Sequence, residues 1–267
     1  MNLLNKPFTS SQFRDKVRSL TSRGPSFVGI GTPKSGTTWW YQLLLRHPSV
    51  AENRLGEKEL AYFYHFSFHR LTYEQIETYR EAFGCPPSKI SGEWSPSYMY
   101  YPGALEALAA TVPETKILVL LRNPIDRYLS HINQFRRSHG RMLSNRDLQQ
   151  LVNKYWGIPD AAGQSLYGTG VSKALEYFGA EHILFLQYEK CSQSPLPEFQ
   201  RTCRFLGIPA LDRVGNLAAF VNPSIYDIPR LMPAERRIMA NYFRNDVLSI
   251  AKYTDDIDIE LWPDFLE

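Results

Sequence analysis

A chain of 267 residues, 43% hydrophobic and 21% charged, has the make-up of an ordinary globular protein, and at this length folding buries about three quarters of the unfolded surface without staples. Its 30 Lys and Arg against 27 Asp and Glu leave a formal net charge of +3, too small for a general nucleic-acid binder. The three cysteines, Cys85, Cys191 and Cys203, form no CxxC pair, which excludes a zinc ribbon or disulfide scaffold and fits a reducing compartment.

From the N-terminus, the first twenty residues interrupt their few apolar side chains with Asn, Lys, Arg and Asp. They read as a first helix or arm and not as a signal peptide. Phe27 to Gly31 is a short apolar run ending in glycine, and Thr37 to His47 follows with helical apolar spacing before Pro48, predicting strand, loop and helix. Lys89 to Ser91 is a candidate short strand, Pro102 to Thr111 a helix with proline in its first turn, and Lys116 to Leu121 (KILVLL) a continuous aliphatic strand. A basic helix is expected over Asp126 to Ser138, then a helix over Ser165 to Phe178 stopped by Gly179, a buried strand over His182 to Gln187, and a helix over Pro197 to Leu206 with Gly207 as its C-cap. No repeat or linker divides the chain, so residues 1–267 are expected to form one α/β domain, a parallel sheet with helices on both faces and ligands at the carboxyl ends of the strands.

The longest aliphatic run, Ile117 to Leu121, is far short of the roughly 20 residues that cross a bilayer. The expected location is therefore cytoplasmic, with no membrane span. Charge is uneven: residues 116–154 hold eight Lys and Arg against two Asp, whereas residues 254–267 hold six acids and no base. The basic block is either a solvated helix face or the place for an anionic ligand.

Two motifs favour the ligand. Gly31-Thr32-Pro33-Lys34-Ser35-Gly36-Thr37-Thr38-Trp39 follows the first strand and opens a helix. Small residues there aim backbone N–H groups and the positive helix end at a phosphate, while Lys34 adds a point charge. It is not a Walker A loop, which places glycine just before the lysine; here that residue is Pro33. The run PKSGTTW resembles the 5′-phosphosulfate loop of the sulfotransferases that use 3′-phosphoadenosine 5′-phosphosulfate (PAPS). Leu121 to Ser130 (LRNPIDRYLS), straight after KILVLL, resembles the same family's 3′-phosphate element, in which Arg122 and Ser130 take the phosphate-gripping roles. An Arg at a strand end and a hydroxyl about two helical turns on can converge on one phosphate.

The resemblance implies a P-loop-like sulfotransferase fold, with Pro33, Lys34, Ser35, Gly36, Thr37, Thr38, Trp39, Arg122 and Ser130 binding the donor. It extends weakly to Gly92 to Tyr98 (GEWSPSY), similar to the E-K-[ST]-x-x-Y segment of glycan sulfotransferases, and to the helix, strand and helix between Leu166 and Gly207. Lys58 to Phe63 (KELAYF) resembles the segment whose glutamate is the general base of the heparan-type enzymes. That makes Glu59 the base and Lys34 the second catalytic residue, with Lys58 able to help place Glu59. Other features depart from the glycan pattern. Trp94 stands where a lysine is usual, no Lys-Gly-Arg-like loop follows Gly207, and Arg230 is the nearest basic residue left to cover the phosphates. Trp39 resembles the small-molecule enzymes, where it stacks on adenine, or else fills the core. Those enzymes use a histidine base, and His65 or His69, in an aromatic stretch, is the alternative to Glu59.

The expected activity is sulfuryl transfer from PAPS to a hydroxyl or amine of a carbohydrate or small metabolite, by in-line displacement without a metal and with no nucleic-acid partner. The rivals are a Mg²⁺-dependent kinase-like enzyme and a non-catalytic nucleotide-binding module. A kinase wants an acid at a strand end to hold the ion, yet KILVLL is followed by Arg122 and the first strand ends in Gly31. The acceptor and the oligomeric state are not readable from these motifs.

Overall fold

The structure is a computed structural model that describes residues 23–66, 71–101, 103–138, 159–215 and 231–266. Five strands, β1 (Phe27–Gly31), β2 (Val50–Ala51), β3 (Ile90–Trp94), β4 (Lys116–Leu121) and β5 (Ile183–Gln187), form one sheet in the order β2-β3-β1-β4-β5, and every pairing is parallel. The chain leaves β1 toward β2 on one side and leaves β4 toward β5 on the other. The switch point therefore lies between β1 and β4, where open α/β sheets bind their ligands.

Side chains on the strands alternate between two cores. Val28, Ile30, Ile117, Val119, Ile183 and Phe185 point to one, which is completed by α2 (Tyr73–Glu81), α3 (Ala104–Thr111), α4 (Pro124–Ser138), α6 (Gly168–Phe178) and α9 (Pro233–Ile250). Phe27, Leu118, Leu120, Leu184 and Leu186 point to the other, with α1 (Thr37–Leu45), Cys191 of the short α7 (Tyr188–Gln193) and α8 (Pro195–Leu206). A sheet apolar on both faces must be covered on both, and the expected layered α/β architecture is the one observed. Gly29 has no side chain because the Trp94 ring lies over it: a Cβ there would sit 2.1 Å from Cδ2 of that indole.

Several boundaries differ from the sequence expectation. The short strand expected at Lys89 to Ser91 runs through Ile90–Trp94, because pairing with β1 carries the polar Gly92-Glu93 pair into the sheet. The basic helix starts at Pro124, not Asp126, since proline suits a first helical position. The helix expected over Ser165 to Phe178 is α6 alone, preceded by the short α5 (Pro159–Gly163). Gly207, at φ 74, ends α8 as expected. Helices α2 and α9 are additions that the sequence expectation does not include. α2 is stopped from fraying by a capping box in which Gln75 N–H donates to Thr72 Oγ1 and Thr72 N–H donates to Gln75 Oε1.

Candidate active site

The loop between β1 and α1 is bent by two residues with left-handed backbone, Lys34 at φ 69 and Gly36 at φ 90. It is closed from within by a 2.6 Å contact between Thr32 Oγ1 and Ser35 Oγ. Gly36 is the N-cap of α1, and no side chain fills the cap. A helix start capped by glycine presents backbone N–H groups of the kind that bind anions, and the left-handed residues before it bend the loop into a concavity suited to the same role. Thr32, Ser35 and Thr37 are buried, Pro33, Lys34 and Gly36 half-buried, and Thr38 exposed. Trp39 is buried, edge-on to Trp40 and to Tyr188, so of its two readings its placement fits core filling.

The second element pins this loop from β4. Arg122 Nη1 donates to the Lys34 carbonyl at 3.1 Å, and its guanidinium lies 4.6 Å over the Tyr188 ring. Arg127, fully buried, donates through Nη1 to the Pro33 carbonyl at 3.3 Å, through Nε to Ser165 Oγ at 2.6 Å, through Nη2 to the Ala161 carbonyl, and through Nη1 to His131 Nδ1 at 3.3 Å. Burial lowers its pKa to about 10, and among the described residues no carboxylate lies within 4 Å of it. A buried cation without a counter-charge is costly, so a phosphate or sulfate beside it is favoured. Burial and the neighbouring Arg127 and Lys34 charges lower His131 to about 4, and it is neutral there. Ser130, on α4, is half-buried.

The stretch after Arg122 is held by Glu189 of α7 and by the acidic C-terminal segment. Asn123 N–H donates to Glu189 Oε1 at 2.9 Å, and Asn123 Nδ2 donates to Asp264 Oδ2 at 2.8 Å. Asp264 is paired in turn with Arg236, which also reaches Asp126. The C-terminal acids thus contribute to the shape of the donor side, which the charge pattern alone did not reveal.

The Glu59 segment approaches from β3. Lys58 Nζ stands 3.3 Å from Thr37 Oγ1, at the start of α1, and 2.5 Å from Glu59 Oε1. Glu59 itself is half-exposed, whereas the Lys58 side chain is 13% exposed. Burial lowers the Lys58 pKa, opposed by the Glu59 charge. One ammonium therefore joins the expected base to the expected donor loop. His65 lies in the 3-10 turn Tyr62–Phe66, but its side chain falls outside the described residues, as do His69 and Arg230 entirely.

In the sequence Trp94 stands out only as a departure, and Glu93 beside it is part of the GEWSPSY resemblance without a role of its own. Trp94 Nε1 donates to the Gly31 carbonyl at 3.1 Å, so the indole seats β3 on the strand that launches the loop. Glu93 is fully buried and accepts four hydrogen bonds. Oε1 takes the Tyr79 hydroxyl at 2.8 Å and the Tyr98 hydroxyl at 3.0 Å, and Oε2 takes Leu60 N–H at 3.0 Å and the Ser95 hydroxyl at 2.5 Å. Burial raises its pKa, opposed by these donors. The available signal was its place near the head of the GEWSPSY segment, and an acid buried so deeply must be either paired or functional.

A model of the sulfotransferase domain family matches residues 25–228. Among curated proteins the chain is 28% identical over 199 residues to the bifunctional heparan sulfate N-deacetylase/N-sulfotransferase 4 of Mus musculus, covering 69% of this chain and 22% of that protein. It is 30% identical over 195 residues to heparan sulfate glucosamine 3-O-sulfotransferase 6 of the same species, covering 70% of this chain and 53% of that one. The chain thus spans between about a fifth and a half of these relatives' lengths. Among solved structures, a sulfotransferase from Alicyclobacillus acidocaldarius superposes with a TM-score of 0.72 at 23% identity, covering 90% of this chain and 98% of the other. This likeness shows a shared P-loop-like fold.

Proposed function

The chain belongs to the sulfotransferase domain family, and from that premise we propose that it transfers a sulfuryl group from PAPS to a hydroxyl or amine of a carbohydrate. The observation that carries the reading is the meeting of two anion-binding elements at the switch point: Arg122, after β4, is hydrogen-bonded to the backbone of Lys34, after β1. A donor with phosphates at both its 5′ and 3′ positions suits two such elements side by side. The heparan sulfate relatives favour a glycan acceptor.

The fit rests on the glycine N-cap of α1, the left-handed turn at Lys34 and Gly36, and the buried Arg127, which has no carboxylate partner among the described residues. The 5′-phosphosulfate would be held by residues 33–38, and the 3′-phosphate by Arg122 and Ser130. When bound, PAPS supplies the sulfuryl group and the leaving phosphate. Lys34 and the N–H groups that open α1 stabilise negative charge on the bridging oxygen. Glu59 takes the proton of the acceptor, and Lys58 keeps that carboxylate beside Thr37. Holding both reactants in line supplies much of the acceleration.

The test is transfer from sulfur-labelled PAPS, in chelator, to N-desulfated heparan sulfate, to O-desulfated heparan sulfate and to 2-naphthol. Label on either glycan supports the reading, and label on 2-naphthol alone turns it toward small phenols. No label on anything overturns it, in favour of a kinase-like enzyme where the protein instead transfers phosphate from a nucleoside triphosphate with Mg²⁺, and of a binding module where it only binds nucleotide tightly.

A further inference from the structure

Glu59 is an exposed side chain on a segment without regular secondary structure between β2 and the 3-10 turn, yet both peptide planes that flank it are fixed by consecutive residues of β3. On one side the Lys58 carbonyl accepts Trp94 N–H at 2.8 Å. On the other, Leu60 N–H donates to Glu93 Oε2 at 3.0 Å. One residue further on, Ala61 N–H donates to Ser95 Oγ at 2.9 Å, and that hydroxyl donates to the same Glu93 oxygen. These planes set the φ and ψ of Glu59, and hence the direction in which its side chain leaves the chain.

The arrangement holds strain. Among the described residues, only Lys34 and Ala61 are non-glycine residues with left-handed backbone. One is in the donor loop and the other lies two residues beyond Glu59. Such a conformation persists only where the surroundings impose it, and it gathers at functional sites. At Ala61 the imposing groups are Ser95 and, behind it, Glu93.

Glu93 also has an anchor of its own. Its other oxygen receives the hydroxyls of Tyr79, from α2, and Tyr98. The rings of Tyr79 and Tyr98 pack against Phe63 at centroid distances of 4.6 and 5.4 Å. An acid at this depth with four donors is far more than sheet formation requires, and nothing in the donor-binding elements uses it.

We propose that Glu93 is the positioning residue of the base: its carboxylate receives the backbone beyond Glu59 and holds that segment in the strained turn that presents Glu59 to the acceptor. The proposal rests on the reading of Glu59 as general base. It explains why one face of β3 ends in a buried acid, and it gives the aromatic cluster around Phe63 a role as the rigid wall behind that acid.

The experiment is a set of single-turnover transfers from labelled PAPS to N-desulfated or O-desulfated heparan sulfate, whichever accepts label, with PAP (3′-phosphoadenosine 5′-phosphate) binding followed by calorimetry. Glu93→Leu removes every acceptor and should lower transfer by roughly 100-fold, the cost of misplacing a reacting group by about an ångström. Glu93→Gln, whose carbonyl can still face Leu60, should recover most of that loss. If Glu93→Leu does not fold, Ser95→Ala, which frees only Ala61 N–H and one donor to Glu93, should lower transfer by about 10-fold. PAP affinity should be unchanged in the folded variants, and in the Glu59→Gln background both losses should vanish, because Glu93 acts through Glu59. Amide exchange in residues 57–64 should quicken in Ser95→Ala while residues 31–45 keep their protection.

Wild-type transfer and unaltered exchange in Ser95→Ala, or losses that persist in full in the Glu59→Gln background, overturn the positioning role while leaving Glu59 as the base. Wild-type transfer by Glu59→Gln removes the base assignment itself, and the role of Glu93 falls with it.

Discussion

The donor loop and the Glu59 segment reach the same place in the molecule, the start of α1, by opposite routes. The loop is a contiguous run whose shape is set by its own residues, by the left-handed Lys34 and Gly36 and the Thr32–Ser35 contact. Arg122, just after β4, and Arg127, on α4, then clamp its carbonyls. The Glu59 segment has little structure of its own and takes its conformation from Glu93, Trp94 and Ser95, more than thirty residues away in sequence. The difference teaches that a phosphate-binding half can be encoded locally, because backbone N–H groups and a helix end do the binding. The half proposed to accept the proton needs one side chain aimed from outside, and its precision comes from long-range contacts.

The largest effect should fall on the half that depends on aim. Glu59→Gln keeps shape but cannot accept a proton, so kcat should fall by roughly 100- to 10,000-fold, with PAP affinity unchanged by calorimetry. If turnover survives and a His65→Ala or His69→Ala variant is dead instead, the base half lies elsewhere and the contrast between the two regions dissolves. Next in size, Lys34→Ala should lower kcat by about 100-fold or more, the cost of losing one preorganised donor to growing charge. It should weaken PAP much less, since the ammonium meets charge that develops during transfer. A normal kcat with only a raised donor KM makes the lysine a binding group.

Arg122→Ala tests whether the clamp also reads the ligand. It should weaken PAP by about 1.5–3 kcal/mol, the range for hydrogen bonds to a charged group, while adenosine 5′-phosphate binds nearly as before. Equal losses for both nucleotides mean that Arg122 only shapes the loop.

The smallest effect concerns the tertiary pin of the donor half. Burial alone would raise the Asp264 carboxyl, but hydrogen bonds from Arg236 and Asn123 and the Arg236 charge outweigh it and hold it below the usual carboxylate range. A depressed carboxylate stabilises the fold above its unfolded value of about 3.9, and the stability is lost as pH falls through the folded value. Asp264→Asn should therefore cost about 1 kcal/mol at pH 7, read by denaturant unfolding, and the difference from wild type should shrink below about pH 4.

Much of this fold was legible because β1, β4 and β5 are short, almost wholly apolar runs. KILVLL and HILFLQ could hardly be anything but buried strands, and the helices after them carry proline or glycine at their ends. β2 could not be seen, since two residues have no period, and β3 was truncated because Gly92 and Glu93 look unlike a buried strand until pairing with β1 is known. Helix α9, with Ile238 and Tyr242 exposed beside buried Met239 and Phe243, shows no clean stripe because its neighbours, and not its own pattern, select which side chains are covered.

By itself the sequence determined the alternation of strands and helices, and with it a parallel sheet, along with the loop chemistry at Lys34 and the arginine that follows β4. These depend on residues close together in the chain, whose backbone geometry and charge are decided within one turn or one strand. Only the tertiary structure decided that Arg127 is a buried pin with no carboxylate beside it among the described residues, that Lys58 spans Thr37 and Glu59, and that Glu93 holds the segment carrying Glu59. Hydrogen bonds between groups distant in the chain depend on the register and packing of whole elements, and those follow from the energy of the assembled core and not from any local propensity.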